Sequence, residues 1–421
     1  MHGAIHRETY TIGAGATRSS TTPLLSALFI LFVVFALLRV ALNPLLLDLV
    51  VNYSTDSGSV IEKLHPALYG FIAIGLVALP RFRIVLGVWE VRVVRAMLAF
   101  NAGIVAILVG TALAGRGGSA GFLIDTYCGA SFAILLFLFP PVWRPRVGQA
   151  VILWLALSAL VAIVEFGLKT RFQPFDESET AFRPIGLASH PLELGLWMAI
   201  GPPFTAATNW SRRTKLAIGL LFVVGLGVSG ARTALVVGSA ASIVLAIGAI
   251  GMGATTRRRL ENRIIASVGL AALIPLGILA LGATGGLDRF VAGPGDANAQ
   301  TRIDVYGIFS HMTWTQIMLG MDMTSMLAIA KTYFRLESVE SSVVMFVTLF
   351  GALGTSLFVI FFAWVMRVLL IGAKASVFLG CGVFLIVALS SNGLSTKGSA
   401  IFLLFTLIIA LRPVRRDLAW M

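Results

Sequence analysis

LFVVGLGVSGARTALVVGSA, residues 221–240, admits two incompatible folds. Gly225, Gly227 and Gly230 fit the GxGxxG pattern of a dinucleotide-binding turn, which requires a preceding strand and a surrounding βαβ unit. The same residues also read as two apolar helices meeting in a tight turn at Ser229-Gly230-Ala231-Arg232-Thr233. No strand precedes the glycines, apolar residues run on both sides of the turn, and glycine inside a membrane helix serves close helix packing. The dinucleotide reading is rejected and the membrane hairpin kept.

The rest of the chain agrees. Of its 421 residues 58% are hydrophobic and 12% charged, and a mean hydropathy of +0.93 excludes an ordinary soluble globular protein. Stretches near the ~20 apolar residues that cross a bilayer recur from Pro23 to Leu411, and helices are the form that satisfies backbone groups in lipid. The expected segments are 23–40, 65–80, 96–114, 120–140, 147–167, 187–207, 215–229, 232–252, 263–283, 342–366, 376–391 and 399–411. The fold class is all-α: a polytopic transmembrane helical bundle of about twelve spans. Its parts are an N-terminal tail (1–22), a bundle of nine spans (23–283), a large outer loop (284–341), three more spans (342–411) and a C-terminal tail (412–421).

A net charge of +13 does not indicate nucleic acid, because the basic residues lie in short loops between apolar segments. They act as topology signals. With both termini in the cytoplasm, the clusters at Arg81/Arg83/Arg92/Arg95, Arg144/Arg146, Arg212/Arg213/Lys215, Arg257–Arg259 and Arg412/Arg415/Arg416 all fall on that side. The long segments 41–64, 168–186 and 284–341 face outward. Lys63 and Lys397 read as solvated loop charges. Few ionisable residues stand out at mid-membrane depth. Cys128 and Cys381 lie in apolar segments and suggest neither a disulfide framework nor a metal site. The polar first 21 residues lack the pattern of a cleaved signal, so the first helix is expected to remain as an anchor.

Chemistry is sought where polar motifs meet helix ends on the outer side. Arg232 sits at the hairpin turn. A guanidinium at the helix centre costs about 2.5–3.5 kcal/mol, less near the interface, and an anionic partner offsets that cost; a snorkelling anchor is the plainer reading. In FRPIGLASHPLELG (182–195) Arg183 precedes a Pro-Ile-Gly break and a helix start, where free amides and the dipole favour an anion. His190 follows, as a structural residue or a phosphate contact, and Glu193 is an acid inside an apolar segment. Arg302, in QTRIDVY with Tyr306, either faces the membrane or pairs with Asp304. Glu340 precedes the apolar helix VVMFVTLFGALGTSLFVIFFAW; it either supports the helix start or accepts a proton from a sugar hydroxyl. HExxH, Cys/His clusters, Walker A and Gly-x-Ser-x-Gly are absent, so neither metal nor cofactor is expected.

Taken in order, FRPIGLASHPLELG, SGARTALV, QTRIDVYG and ESSVVMFVTLFGALG resemble motifs of the O-antigen ligase and polymerase superfamily, especially its exopolysaccharide polymerases, over roughly residues 150–411. SGARTALV resembles the family's Ser-Gly-Ser/Ala-Arg-Thr signature, Arg183 with Gly186 its Arg-x-x-Gly motif, and Gly351 with Gly354 its paired helix glycines. Glu340-Ser341 stands where many ligases carry His-Asn or His-Ser, a departure that favours a polymerase. The resemblance implies a GT-C-like bundle in the bacterial inner membrane, with its site facing the periplasm. It further implies metal-independent glycosyl transfer from a polyprenyl-diphosphate-linked oligosaccharide donor to an oligosaccharide acceptor, with chain-length or export proteins as partners besides the bilayer. Arg183, Arg232, Arg302 and His190 would then bind the diphosphate, Glu340 would be the base, and Glu193, Ser229 and Tyr306 would contact substrate. A ligase for finished glycans, or a transporter of an anionic or lipid-linked substrate, are the alternatives.

Overall fold

The computed structural model describes residues 21–54, 59, 61–116, 121–175, 182–249, 303–336 and 339–413. No strand occurs among them. In chain order come α1 (Thr21–Ala41), α2 (Pro44–Leu47), α3 (Pro66–Arg81) and α4 (Val88–Leu113). A helical stretch of unusual pitch follows, π-helical at Leu123–Cys128 and 3₁₀ at Ser131–Leu138. Then come α5 (Arg144–Leu168), α6 (Pro191–Ala207), α7 (Arg212–Val228) and α8 (Arg232–Ala249). Beyond a 3₁₀ turn at Val305–His311 lie α9 (Trp314–Leu319), α10 (Met323–Phe334), α11 (Ser342–Leu370), α12 (Ala375–Leu389) and α13 (Ala400–Ala410).

Helix occupies every expected segment except 263–283, which lies outside the described residues. Among the described residues four helices are long and apolar enough to cross a membrane: Pro23–Ala41, Val88–Leu113, Arg144–Leu168 and Ser342–Leu370. Shorter apolar helices, among them Pro66–Arg81, Ala375–Leu389 and Ala400–Ala410, fill the space between them.

The helix starts are set locally. His65-Pro66 and His190-Pro191 use one device twice. Proline takes the first helical position, where no amide is needed, and the histidine Nδ1 accepts the amide of Ala67 or Leu192 at 3.1 Å. Ser211 caps α7 and Ser341 caps α11 through their hydroxyls.

Two helices form the interior. α6 is buried along nearly its whole length, packed against α5, α7, α8 and α12, and α13 is buried from Ala400 to Leu411. Beyond the first turn of α6, which carries Glu193, both are almost wholly apolar on every face, as suits a helix enclosed by others. The 221–240 stretch is the expected hairpin, with Ser229-Gly230-Ala231 joining α7 to α8. Its close packing needs small residues: a Cβ on Gly195 of α6 would lie 2.5 Å from Ala231 Cβ, and one on Gly238 of α8 would lie 3.0 Å from Ala199 Cα.

The helix expected to run unbroken through VVMFVTLFGALGTSLFVIFFAW is interrupted at Gly351, where φ is 69° and ψ 171°. The loop before it explains the break. Residues 314–320 dock into the gap, and Met321 N donates to Thr348 O at 2.6 Å, taking up a carbonyl of the broken helix. Gly320 (φ 92°) and Gly351 pass so closely that a Cβ on Gly351 would overlap Met318 O. The described part of the 284–341 segment is therefore folded against α11.

At Gly351 the backbone lies in a region open essentially to glycine, which costs other residues about 1–3 kcal/mol before any clash. Gly351→Ala is expected to lower unfolding stability by at least about 2 kcal/mol in detergent. Gly110→Ala, whose Cβ would meet nothing within 4 Å, should leave the melting temperature unchanged or slightly raised.

Candidate functional site

Glu165, fully buried near the end of α5, organises the loop that carries Arg183. Its Oε1 accepts from Phe172 N at 2.9 Å, and its Oε2 accepts from Ile185 N at 2.9 Å and Gly186 N at 2.7 Å. Gly186 has φ 57°, and a Cβ there would sit 2.6 Å from Ser158 O. Ser158 Oγ accepts Leu187 N at 3.0 Å, while Asn43 Nδ2 donates to Gln173 Oε1 at 2.6 Å and Gln173 Nε2 to Gly186 O at 2.8 Å. The Arg-Pro-Ile-Gly segment is thus held bent over α5 chiefly by side chains, with a backbone turn from Ala188 N to Ile185 O at 3.0 Å.

That bend delivers Arg183 to the α7–α8 turn. Arg183 is 6% exposed, and its Nε donates to Ser229 O at 3.3 Å. Gly230 has φ 64°, and a Cβ there would reach to 3.4 Å from Arg183 Nε. Arg232, half-buried, opens α8 two residues later. Behind Arg183, the Arg171 Nε donates to its backbone carbonyl at 2.9 Å, and the Arg171 guanidinium lies 4.5 Å from the Phe175 ring centre. The starts of α6 and α8 meet here through Gly195 and Ala231, so two positive helix ends adjoin two arginines. Such a corner suits an anion.

The other expected residues fare differently. Arg302 lies outside the described residues. His190 spends its Nδ1 on the cap of α6, with its ring 5.7 Å from Phe175, so that nitrogen is closed to a phosphate. Ser229 is fully buried; its Oγ donates to Leu226 O at 2.8 Å and accepts Ala231 N at 3.3 Å, which makes it a turn residue instead of a substrate contact. Glu193, half-buried, accepts from Ser189 N at 2.9 Å and Ser189 Oγ at 2.5 Å. Tyr306, 50% exposed, belongs to a segment that packs on α10 and α11. Glu340 is half-buried directly before α11, whose first amides are served by Ser341 Oγ instead.

Glu193 adjoins the irregular segment 390–399, and Ser342, two residues after Glu340, is bonded to it. Its carbonyls are taken up in series. Ser391 O accepts from Ser342 Oγ at 2.7 Å, Leu394 O from Tyr127 Oη at 2.6 Å, Thr396 O from Thr126 Oγ1 at 3.1 Å and Gly398 O from Arg39 Nη2 at 3.1 Å. A Cβ on Gly398 would stand 3.9 Å from Glu193 Oε1.

Arg39 anchors this arrangement. It is 2% exposed and pairs with fully buried Asp125 at 2.7 Å. Asp125 also accepts from Tyr53 Oη at 2.5 Å and His65 N at 2.7 Å. Asp125 lies on the π-helical turn, a form that often accompanies a functional or strained position. Burial raises the Tyr53 phenol above its ordinary range, which keeps its proton available to Asp125. Lys397 is no solvated charge: its Nζ donates to Tyr53 O at 2.6 Å and Lys63 O at 3.1 Å, and burial lowers its pKa. Arg39, Asp125 and Glu165 are ionisable groups near the ends of apolar segments that the sequence analysis did not single out. Their signal was present, since an ionisable residue inside an apolar span is costly unless it has work to do.

Compared with known proteins, the chain matches no family model and no curated protein sequence.

Removing one member of a buried ion pair strands the other charge, at a cost of about 3–5 kcal/mol. Asp125→Asn is expected to lower unfolding stability in detergent by that order. The double change Arg39→Met with Asp125→Leu should recover part of the loss, because no charge is then left alone.

Proposed function

We propose that the chain is a membrane glycosyltransferase that polymerises polyprenyl-diphosphate-linked oligosaccharide units into a surface or exopolysaccharide. The observation that carries this reading is the seat of Arg183 on the Ser229-Gly230 turn that launches α8 with Arg232. Motifs almost fifty residues apart in the sequence thereby form one basic corner at two helix starts.

On this reading all the apolar helices span the bacterial inner membrane in a GT-C-like bundle of about twelve spans, with both termini cytoplasmic and the basic corner at the periplasmic face. The diphosphate of the donor meets Arg183 and Arg232, joined by Arg302. An acceptor sugar hydroxyl attacks the anomeric carbon of the donor, the bond from that carbon to the diphosphate oxygen breaks, and the hydroxyl proton passes to Glu340. Polyprenyl diphosphate leaves with the bonding electrons. Negative charge grows on it as the bond breaks, so preorganised guanidinium groups stabilise the transition state more than the bound donor. Their planar forks hold phosphate oxygens in pairs and keep their charge at any working pH. The acceptor enters beneath the long outer loop, with Glu193 as a further substrate contact.

Glu340 in place of the ligases' histidine favours polymerisation over transfer of a finished glycan. A transporter would be favoured by the buried charges of Arg39 and Asp125. That pair is closed by Tyr53, His65 and backbone carbonyls, and reads as an anchor.

Loss of one such donor costs about 3 kcal/mol, on the order of a hundredfold in rate. Arg232→Ala is expected to show that loss, and Arg232→Lys nearly as much, in elongation of lipid-linked oligosaccharide by purified protein. Glu340→Gln should fall by about 10²–10⁴-fold. Full-length polymer from the lysine variant would count against paired oxygen contacts. Long lipid-linked chains accumulating in cells with these variants would identify a ligase.

A further inference from the structure

At the end of the bundle opposite this corner, Arg92 and Arg95 on α4 and Arg367 on α11 line a cavity of about 280 Å³ together with Trp364, Val368 and Ile371. All three arginines are exposed, and none forms an ion pair among the described residues. The nearest acid in sequence, Glu90, is already engaged: its Oε1 pairs with Arg144 Nη1 and its Oε2 accepts Gly87 N at 2.9 Å. Among the described residues these three guanidinium groups therefore have no acidic counterpart. A fourth guanidinium closes the rim, since Arg412 stacks 3.6 Å from the Trp89 ring centre and donates to Ile371 O at 2.6 Å.

The apolar side of the cavity decides between a soluble and a lipid anion. Trp364 is 43% exposed and Ile371 43%. One turn further from the basic end, on the same helix faces, stand Leu98 (60% exposed) and Ile360 (65%). An exposed apolar strip thus runs from the arginines along α4 and α11, both helices long enough to cross a membrane. Tryptophan beside arginine at a span end is suited to the level of the headgroups.

We propose that this cavity binds the phosphate headgroup of an anionic phospholipid, with an acyl chain lying along Leu98 and Ile360. Basic pockets between membrane helices take such headgroups, and each arginine near the surface contributes about fivefold in affinity. The proposal is independent of the glycosyltransferase reading, and either can fail alone.

The test uses the full chain purified in detergent, with bound lipid counted by native mass spectrometry during titration with phosphatidylglycerol or phosphatidylcholine. Phosphatidylglycerol should be retained at least about tenfold more strongly than phosphatidylcholine. Arg95→Gln and Arg367→Gln should each weaken retention about fivefold, while Arg367→Lys keeps most of it. Arg213→Gln, an exposed cation at the same end but outside the cavity, should change nothing. All three side chains are exposed, so unchanged melting temperatures are expected for the four variants and verify the fold. Equal retention of both lipids, equal weakening by Arg213→Gln, or displacement of phosphatidylglycerol by millimolar inorganic phosphate would each overturn the proposal.

Discussion

Backbone that leaves the helix inside an apolar bundle has no water to bond with, and in this protein buried side chains supply what the missing helix would have supplied. Glu165 takes up the amides of Phe172, Ile185 and Gly186. Arg39, Thr126, Tyr127 and Ser342 donate to successive carbonyls of residues 390–399. At the Gly351 break the neighbouring loop does the same with its own amide at Met321. Each irregular segment is thereby held in one conformation, and the candidate site is made from those segments.

The Arg39–Asp125 pair shows why charge is used for this purpose. An apolar pair of similar volume would avoid the desolvation cost, and ion pairs of this kind add little net stability. It could not, however, donate to the carbonyls of Asp125 and Gly398 as Arg39 does. The wider π turn at Asp125 brings that residue into the interior, where Tyr53 and the amide of His65 complete its shell. Geometry is gained where stability is not.

Arginines at the two ends of the bundle have opposite surroundings. Arg183 is enclosed, its Nε against a turn carbonyl that keeps the side chain in place. Arg92, Arg95 and Arg367 are open, beside apolar surface, with the nearby acid already committed to Arg144. Enclosure preorganises a group toward one ligand geometry. Openness beside exposed apolar residues leaves guanidinium groups accessible from outside the bundle.

Hydropathy alone determined the helical class and the positions of the described apolar helices, though not of α2, α9 and α10, which lie in segments read as loops; the cost of unpaired backbone in lipid leaves few other forms. It also rejected the nucleotide-binding reading of residues 221–240 and marked Arg183 and Arg232 as paired candidates, since each interrupts an apolar run at a helix end. What remained hidden was which polar residues serve structure. His190 and Ser229 look chemical in the sequence and prove to be a cap and a turn residue, whereas Arg39, Asp125 and Glu165 pass as blemishes in apolar spans and prove to hold the loops. The break at Gly351 was invisible as well, its neighbours being as apolar as any helix. Only the docking of residues 314–320, distant in the chain, supplies the hydrogen bond and the close approach that make a glycine necessary there. Periodicity reports how a segment meets its solvent; which partner satisfies its backbone depends on contacts that exist only once the chain has folded.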